Sequence, residues 1–164
     1  MKPLDYAMQI ELEGEKLYRS FAKKTSSNQL KTLFNWLANS EINHYKKFND
    51  MQENEMSETE DITLLSDTYN ILKKVIEKNS KPDFIHNQLN IYSDILEIEK
   101  QMALFYEQKA KKTNNIKLKT IYQNIADEEK RHQFLIENLI KLVINPEVWL
   151  KEDNFDEILS YIPL

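Results

Sequence analysis

The sequence predicts an all-α fold, a four-helix bundle made of two duplicated helical hairpins with a long crossover containing a short helix. Three observations predict it. The 164 residues hold one glycine and four prolines, too few turn formers for the many tight turns of a sandwich or barrel. Apolar residues recur at helical spacing along most of the chain. The two halves of the chain also resemble each other at a constant offset of 88 residues. The length suits one domain, expected over residues 1–146. Residues 147–164 are expected as a C-terminal tail packed on the bundle by Trp149, Leu150 and Phe155.

The elements follow in order. Pro3 and Asp5 suit a helix start. From there Leu4, Ala7, Met8, Tyr18, Phe21 and Ala22 mark one face, and Ser26, Ser27 and Asn28 break the helix. The second helix carries Leu30, Leu33, Phe34, Leu37, Phe48 and Met51. The acidic stretch 53–61 reads as a loop. A shorter amphipathic segment over 62–78, with Leu65, Tyr69, Leu72 and Ile76, occupies the crossover and ends at Asn79, Ser80, Lys81 and Pro82. A third long helix carries Leu89, Tyr92, Ile95, Leu96, Tyr106 and Ala110 and breaks at Thr113, Asn114 and Asn115. A fourth carries Leu118, Ile121, Tyr122, Ile125, Ile136, Leu139 and Val143 and stops at Asn145 and Pro146. Two hairpins with one long connection is a known bundle topology.

Composition excludes several chemistries. There is no cysteine, so disulfides, thiolate metal sites and cysteine nucleophiles are out. A net charge of −5 argues against nucleic acid as a partner. No apolar run is long enough to span a membrane, and the N-terminus lacks an apolar signal core. A cytoplasmic location is the expectation.

The repeat localises the function. Residues 10–51 align on 98–139 without a gap, with 13 identities in 42 positions. Among them are Glu11 with Glu99, Tyr18 with Tyr106, Glu41 with Glu129, and His44 with His132. All of these charged residues sit on the apolar stripes. In the first helix the stripe runs through 4, 7, 11, 14, 18 and 21, and position 11 is Glu. In the second, 41 and 44 are Glu and His. In the third, 99 is Glu, and in the fourth, 129 and 132 are Glu and His. Four carboxylates and two imidazoles therefore point into the core at matching heights. Burying them bare would cost many kcal/mol, whereas two divalent cations would balance their charge. Mixed carboxylate and imidazole ligands suit iron, with manganese or a mixed Mn/Fe pair as the alternative, and not the all-oxygen shell of calcium. The spacing Glu41-x-x-His44, repeated at Glu129-x-x-His132, puts each pair on one helix face.

One Glu from each of two helices and Glu-x-x-His from each of the other two resembles the ferritin-like superfamily of di-iron carboxylate proteins. Glu11-Leu12-Glu13-Gly14 and Asp127-Glu128-Glu129-Lys130-Arg131-His132 further resemble its rubrerythrin-like branch. The resemblance implies a ferritin-like bundle in which Glu11 and His44 serve one iron, Glu99 and His132 the other, with Glu41 and Glu129 as bridges. It implies reduction of hydrogen peroxide or O₂ in oxidative-stress defence, an external electron-donor protein, and a homodimer. Rubrerythrins carry a rubredoxin domain with four cysteines, absent from this sequence, and a further Glu three residues after the third-helix Glu. Here that position is Met102, and its repeat mate is Gly14. Ferroxidase activity, oxygenation of an organic substrate and non-enzymatic metal binding are the alternatives.

Five further residues stand out. Tyr18 and Tyr106 lie two turns beyond a ligand Glu, placed for a phenol to bond a ligand carboxylate. Gly14 lies on the metal-facing stripe, where it leaves room for an oxidant or is simply tolerated. Trp36 is expected as packing, and His86 as surface.

Overall fold

The computed structural model describes residues 3–51, 59–81 and 84–147, together with 157, 158, 160 and 162 of the tail. It contains five long helices and, among the described residues, no strand: α1 (Pro3–Lys24), α2 (Asn28–Asn49), α3 (Thr59–Asn79), α4 (Phe84–Lys112) and α5 (Ile116–Ile144). The described chain is an all-α bundle. α1 packs on α2 and α4 on α5, forming the two hairpins, while the crossover helix α3 lies against α1 and α4. No described helix is long and apolar enough to cross a membrane.

The hairpins turn in the same way. Ser27 caps α2 by accepting a hydrogen bond from the Leu30 amide, and Asn115 caps α5 by accepting one from the Leu118 amide. The two caps are repeat mates, and each satisfies an orphan donor of the first turn. Lys23 and Lys24 end α1, and Lys111 and Lys112 end α4, where positive charge complements the helix dipole.

The crossover helix extends further than its apolar pattern suggests. It begins at Thr59 and takes in Glu60 and Asp61, which the sequence reading gave to the loop. The rest of the expected loop, 53–58, lies outside the described residues, as do Trp149, Leu150, Phe155 and the side chain of His86. Leu65, Leu72 and Val75 of α3 are buried, and in the tail Ile158 and Ile162 are buried in the same core. One apolar assignment differs. Leu89 is 39% exposed, because the buried face of α4 at that level is centred on Ile91 and Tyr92.

Two aromatic clusters flank the middle of the bundle. Towards one end Phe21 packs with Phe34 and Tyr92, the ring centroids 5.3 and 5.8 Å apart. Towards the other, Phe48 lies parallel to Tyr106 at 5.2 Å. The polar residues of the core lie between them.

Candidate metal centre

Glu11, Glu41, His44, Glu99, Glu129 and His132 are all buried. They form two overlapping groups whose candidate ligand atoms lie within 4.8 Å of one another: Glu11, Glu41, His44 and Glu129 in one, and Glu41, Glu99, Glu129 and His132 in the other. Glu41 and Glu129 are common to both. All six residues singled out by the sequence meet at one place, each helix of the two hairpins contributing at least one.

Both imidazoles face the centre through Nδ1. His44 Nδ1 lies 3.0 Å from Glu129 Oε1 and 3.3 Å from Glu11 Oε2. His132 Nδ1 lies 3.1 Å from Glu41 Oε1, 3.1 Å from Glu99 Oε2 and 3.2 Å from Glu129 Oε2. The rings stack at 5.8 Å. The two tyrosines cross between the hairpins. The Tyr18 hydroxyl on α1 donates to Glu99 Oε1 on α4, and the Tyr106 hydroxyl on α4 donates to Glu11 Oε1 on α1. Each phenol therefore holds the outer carboxylate of the opposite hairpin by one oxygen and leaves the other turned to the imidazole. Burial, reinforced by the neighbouring carboxylates, pushes both phenols well above their ordinary range, so they remain donors.

Protonation follows from crowding. Burial pushes the Glu41 carboxyl well above its usual range, and the charges of Glu11 and Glu129 add to it. Burial also pushes Glu99 up to about 7, against the pull of His132. Glu129 goes the other way. Burial opposes its ionisation, but His44 and His132 together hold it well below the usual carboxylate range. Burial likewise opposes charging of the imidazoles, yet Glu129 and Glu11 raise His44, and Glu99 and Glu129 raise His132, well above their ordinary value. The metal-free site thus holds several protons in place of cations.

The same site leaves atoms over. Glu41 Oε1 and Glu129 Oε1 are buried, and among the described residues neither receives an aligned hydrogen bond, although His132 Nδ1 and His44 Nδ1 approach them at 3.1 and 3.0 Å. Buried carboxylate oxygens are costly without one, and both belong to the residues shared by the two groups. A pair of divalent cations between Glu41 and Glu129 would satisfy them, so the donor set fits a dinuclear metal centre.

A cavity of about 20 Å³ adjoins the site. Its polar wall is Glu41, Glu99, Glu129 and Tyr18. Gly14, Met102 and Leu72 of α3 are among its other lining residues. Such a space holds a water-sized molecule. A Cβ at Gly14 would sit 3.6 Å from Glu41 Cδ, so the glycine leaves this carboxylate exposed to the cavity. Met102 is buried filler, as its thioether suggests.

Trp36, expected as packing, packs against the core and stands edge-on to the His132 ring at 5.5 Å. Glu128, overlooked beside Glu129, accepts a 2.7 Å hydrogen bond from His44 Nε2. Its repeat mate is Ser40, so the duplication that exposed the other site residues hid this one.

The family model for rubrerythrin matches residues 2–140. Comparison with curated proteins and with solved structures gave no match.

Proposed function

This chain belongs to the rubrerythrin family, and we propose that it is a non-haem di-iron oxidoreductase that reduces hydrogen peroxide. The observation that carries this reading is the pair of overlapping ligand groups sharing Glu41 and Glu129, next to a cavity that holds a water-sized molecule. Glu11 and His44 would hold one ion, Glu99 and His132 the other, and Glu41 and Glu129 would bridge them. Two ferrous ions bound there would supply the two electrons that, with two protons, convert hydrogen peroxide to two molecules of water.

The protein's own residues do the rest. Tyr18 and Tyr106 fix Glu99 and Glu11 by one oxygen each, so the outer carboxylates present the other without rotating. Ile10, Leu17, Ile95 and Ile98 line the cavity and exclude bulk water, which strengthens every charge interaction inside. Gly14 keeps the Glu41 carboxylate accessible from the cavity. With no cysteine in the 164 residues, the electrons that reset the site come from a donor outside this sequence.

The test is rapid mixing. The protein is loaded anaerobically with two ferrous ions per chain and mixed separately with hydrogen peroxide and with air-saturated buffer. Oxidation at least tenfold faster by peroxide supports the reading. Faster oxidation by O₂ overturns it in favour of ferroxidase chemistry, and continued uptake of iron beyond two ions per chain would identify that activity.

A further inference from the structure

The ligand residues obey the pseudo-two-fold, but their backing does not. His44 Nε2, on the side of the ring away from the centre, donates to Glu128 Oε2 at 2.7 Å. Glu128 also accepts from Ser40 Oγ at 3.3 Å and from Lys47 Nζ at 3.5 Å. Its side chain is 28% exposed and Lys47's is 39% exposed, so the chain of contacts runs from the imidazole to the surface. The repeat mates of Glu128 and Lys47 are Ser40 and Leu135, neither of which can carry charge. Among the described residues His132 accordingly has no such support. Its Nε2 is buried without a hydrogen-bond partner there, and an indole, that of Trp36, stands beside its ring.

This difference bears on metal binding. A carboxylate behind a ligand imidazole fixes the ring's tautomer and orientation and makes the metal-facing nitrogen a better donor. His44 has its Nδ1 turned to the centre and its Nε2–H tied to a carboxylate. His132 has the first and lacks the second. We infer that Glu128 is a positioning residue that makes the two halves of the centre unequal, so that the half built on Glu11 and His44 takes the first ion and the half built on Glu99 and His132 the second.

The inference rests on the dinuclear reading above, and metal addition separates the two. Mn(II) is added stepwise to the full, metal-free chain, and the free ion is counted by electron paramagnetic resonance. The expected record is two steps, separated at least tenfold in affinity. Glu128→Ala should weaken the tighter step by about 10–100-fold, the usual loss for such outer partners, and leave the weaker one in place. Glu128→Gln, which keeps an oxygen to accept from Nε2, should recover part of the loss. In the Zn(II)-loaded protein with ¹⁵N-labelled histidine, Glu128→Ala should move the His44 ring N–H signal and leave that of His132 unmoved. Two equal steps in the unaltered chain, or steps indifferent to Glu128→Ala, would overturn the inference and leave the dinuclear reading standing. Equal weakening of both steps would mean that Glu128 serves the fold and not His44, which also overturns it. Failure of the unaltered chain to bind Mn(II), Fe(II) or Zn(II) would overturn both.

Discussion

The first hairpin, α1 with α2, and the second, α4 with α5, have diverged in different ways at different depths. Their Glu, Tyr and His residues at the centre are the same, and the tyrosines cross reciprocally to the outer carboxylate of the other hairpin. One layer out the correspondence fails. Glu128 answers to Ser40, Trp36 to Asn124, and Met102 to Gly14. The comparison teaches that ligand identity is constrained by charge balance, which treats both hairpins alike. The surrounding residues are constrained by proton placement, access and packing, which need not be symmetrical.

The largest effect should come from the shared carboxylates. Glu41 and Glu129 are repeat mates, yet in the metal-free protein they stand at opposite ends of the protonation scale. Glu129 is the anion between two imidazoliums. Glu129→Gln should therefore destabilise the metal-free fold by about 3 kcal/mol or more, the scale for removing one partner of a buried charge set. Glu41→Gln replaces a group that already holds a proton and should leave the metal-free fold as stable as before, or slightly more so. Both should abolish dinuclear loading. Chemical denaturation without metal measures the first contrast, and equal losses in the two variants would show that the hairpins share the protons evenly.

The second effect is on pH dependence. In the folded metal-free chain Glu99 keeps its proton up to about 7 from an ordinary 4.5, and His44 and His132 keep theirs above 6.5. Over these windows the folded state binds more protons than the unfolded one, so its stability falls as pH rises. Glu128, held down at about 2 by His44 and Lys47 against its burial, and Glu129, also depressed, act in the opposite sense. Their contribution grows as pH rises to 4.5 and is constant above. Metal ligands must be deprotonated, so binding tightens with pH. The melting temperature of the metal-free protein should fall between about pH 5 and pH 8, and the gap to the metal-loaded protein should widen by on the order of 5 °C. A gap that narrows with pH would contradict this protonation scheme.

A smaller effect tests the part of the comparison that is symmetrical. Tyr18→Phe and Tyr106→Phe each remove one buried donor to a carboxylate. Each should cost about 1–3 kcal/mol, and the two losses should agree within experimental error. A pronounced difference would show that the asymmetry around the histidines reaches the outer carboxylates.

What could be read from the sequence follows the same division. Glu11, Glu41, His44, Glu99, Glu129 and His132 stand out because charge on an apolar helical stripe is anomalous and the anomaly occurs twice. Tyr18 and Tyr106 stand out by the same repetition, although spacing along one helix did not indicate that each would reach the carboxylate of the opposite hairpin. Glu128 violates no pattern. One position from a ligand, on a partly exposed edge of α5, it looks like ordinary surface charge. Its role depends on α2 and α5 lying close enough for it to reach His44, a tertiary fact with no local signature. Trp36 was legible as packing, an apolar ring beside a core stripe, and it packs edge-on to His132. The early start of α3 was obscured because its first turn carries acid instead of apolar residues.

The smallest change concerns Gly14 and Met102, which occupy equivalent positions and line the same cavity. Glycine inside a helix costs up to about 1 kcal/mol against alanine, and a Cβ here would make ordinary contact with Glu41, nothing closer than 3.6 Å. Gly14→Ala should therefore stabilise the fold by about 0.5–1 kcal/mol. The same methyl would take up space in a cavity of only about 20 Å³, between the entering molecule and a shared carboxylate. If peroxide reaches the centre through this space, the more stable variant should oxidise more slowly with peroxide while binding both metal ions as before. A more stable variant with an unchanged rate would mean that glycine at this position is only tolerated. The asymmetry between Gly14 and Met102 would then be one of packing.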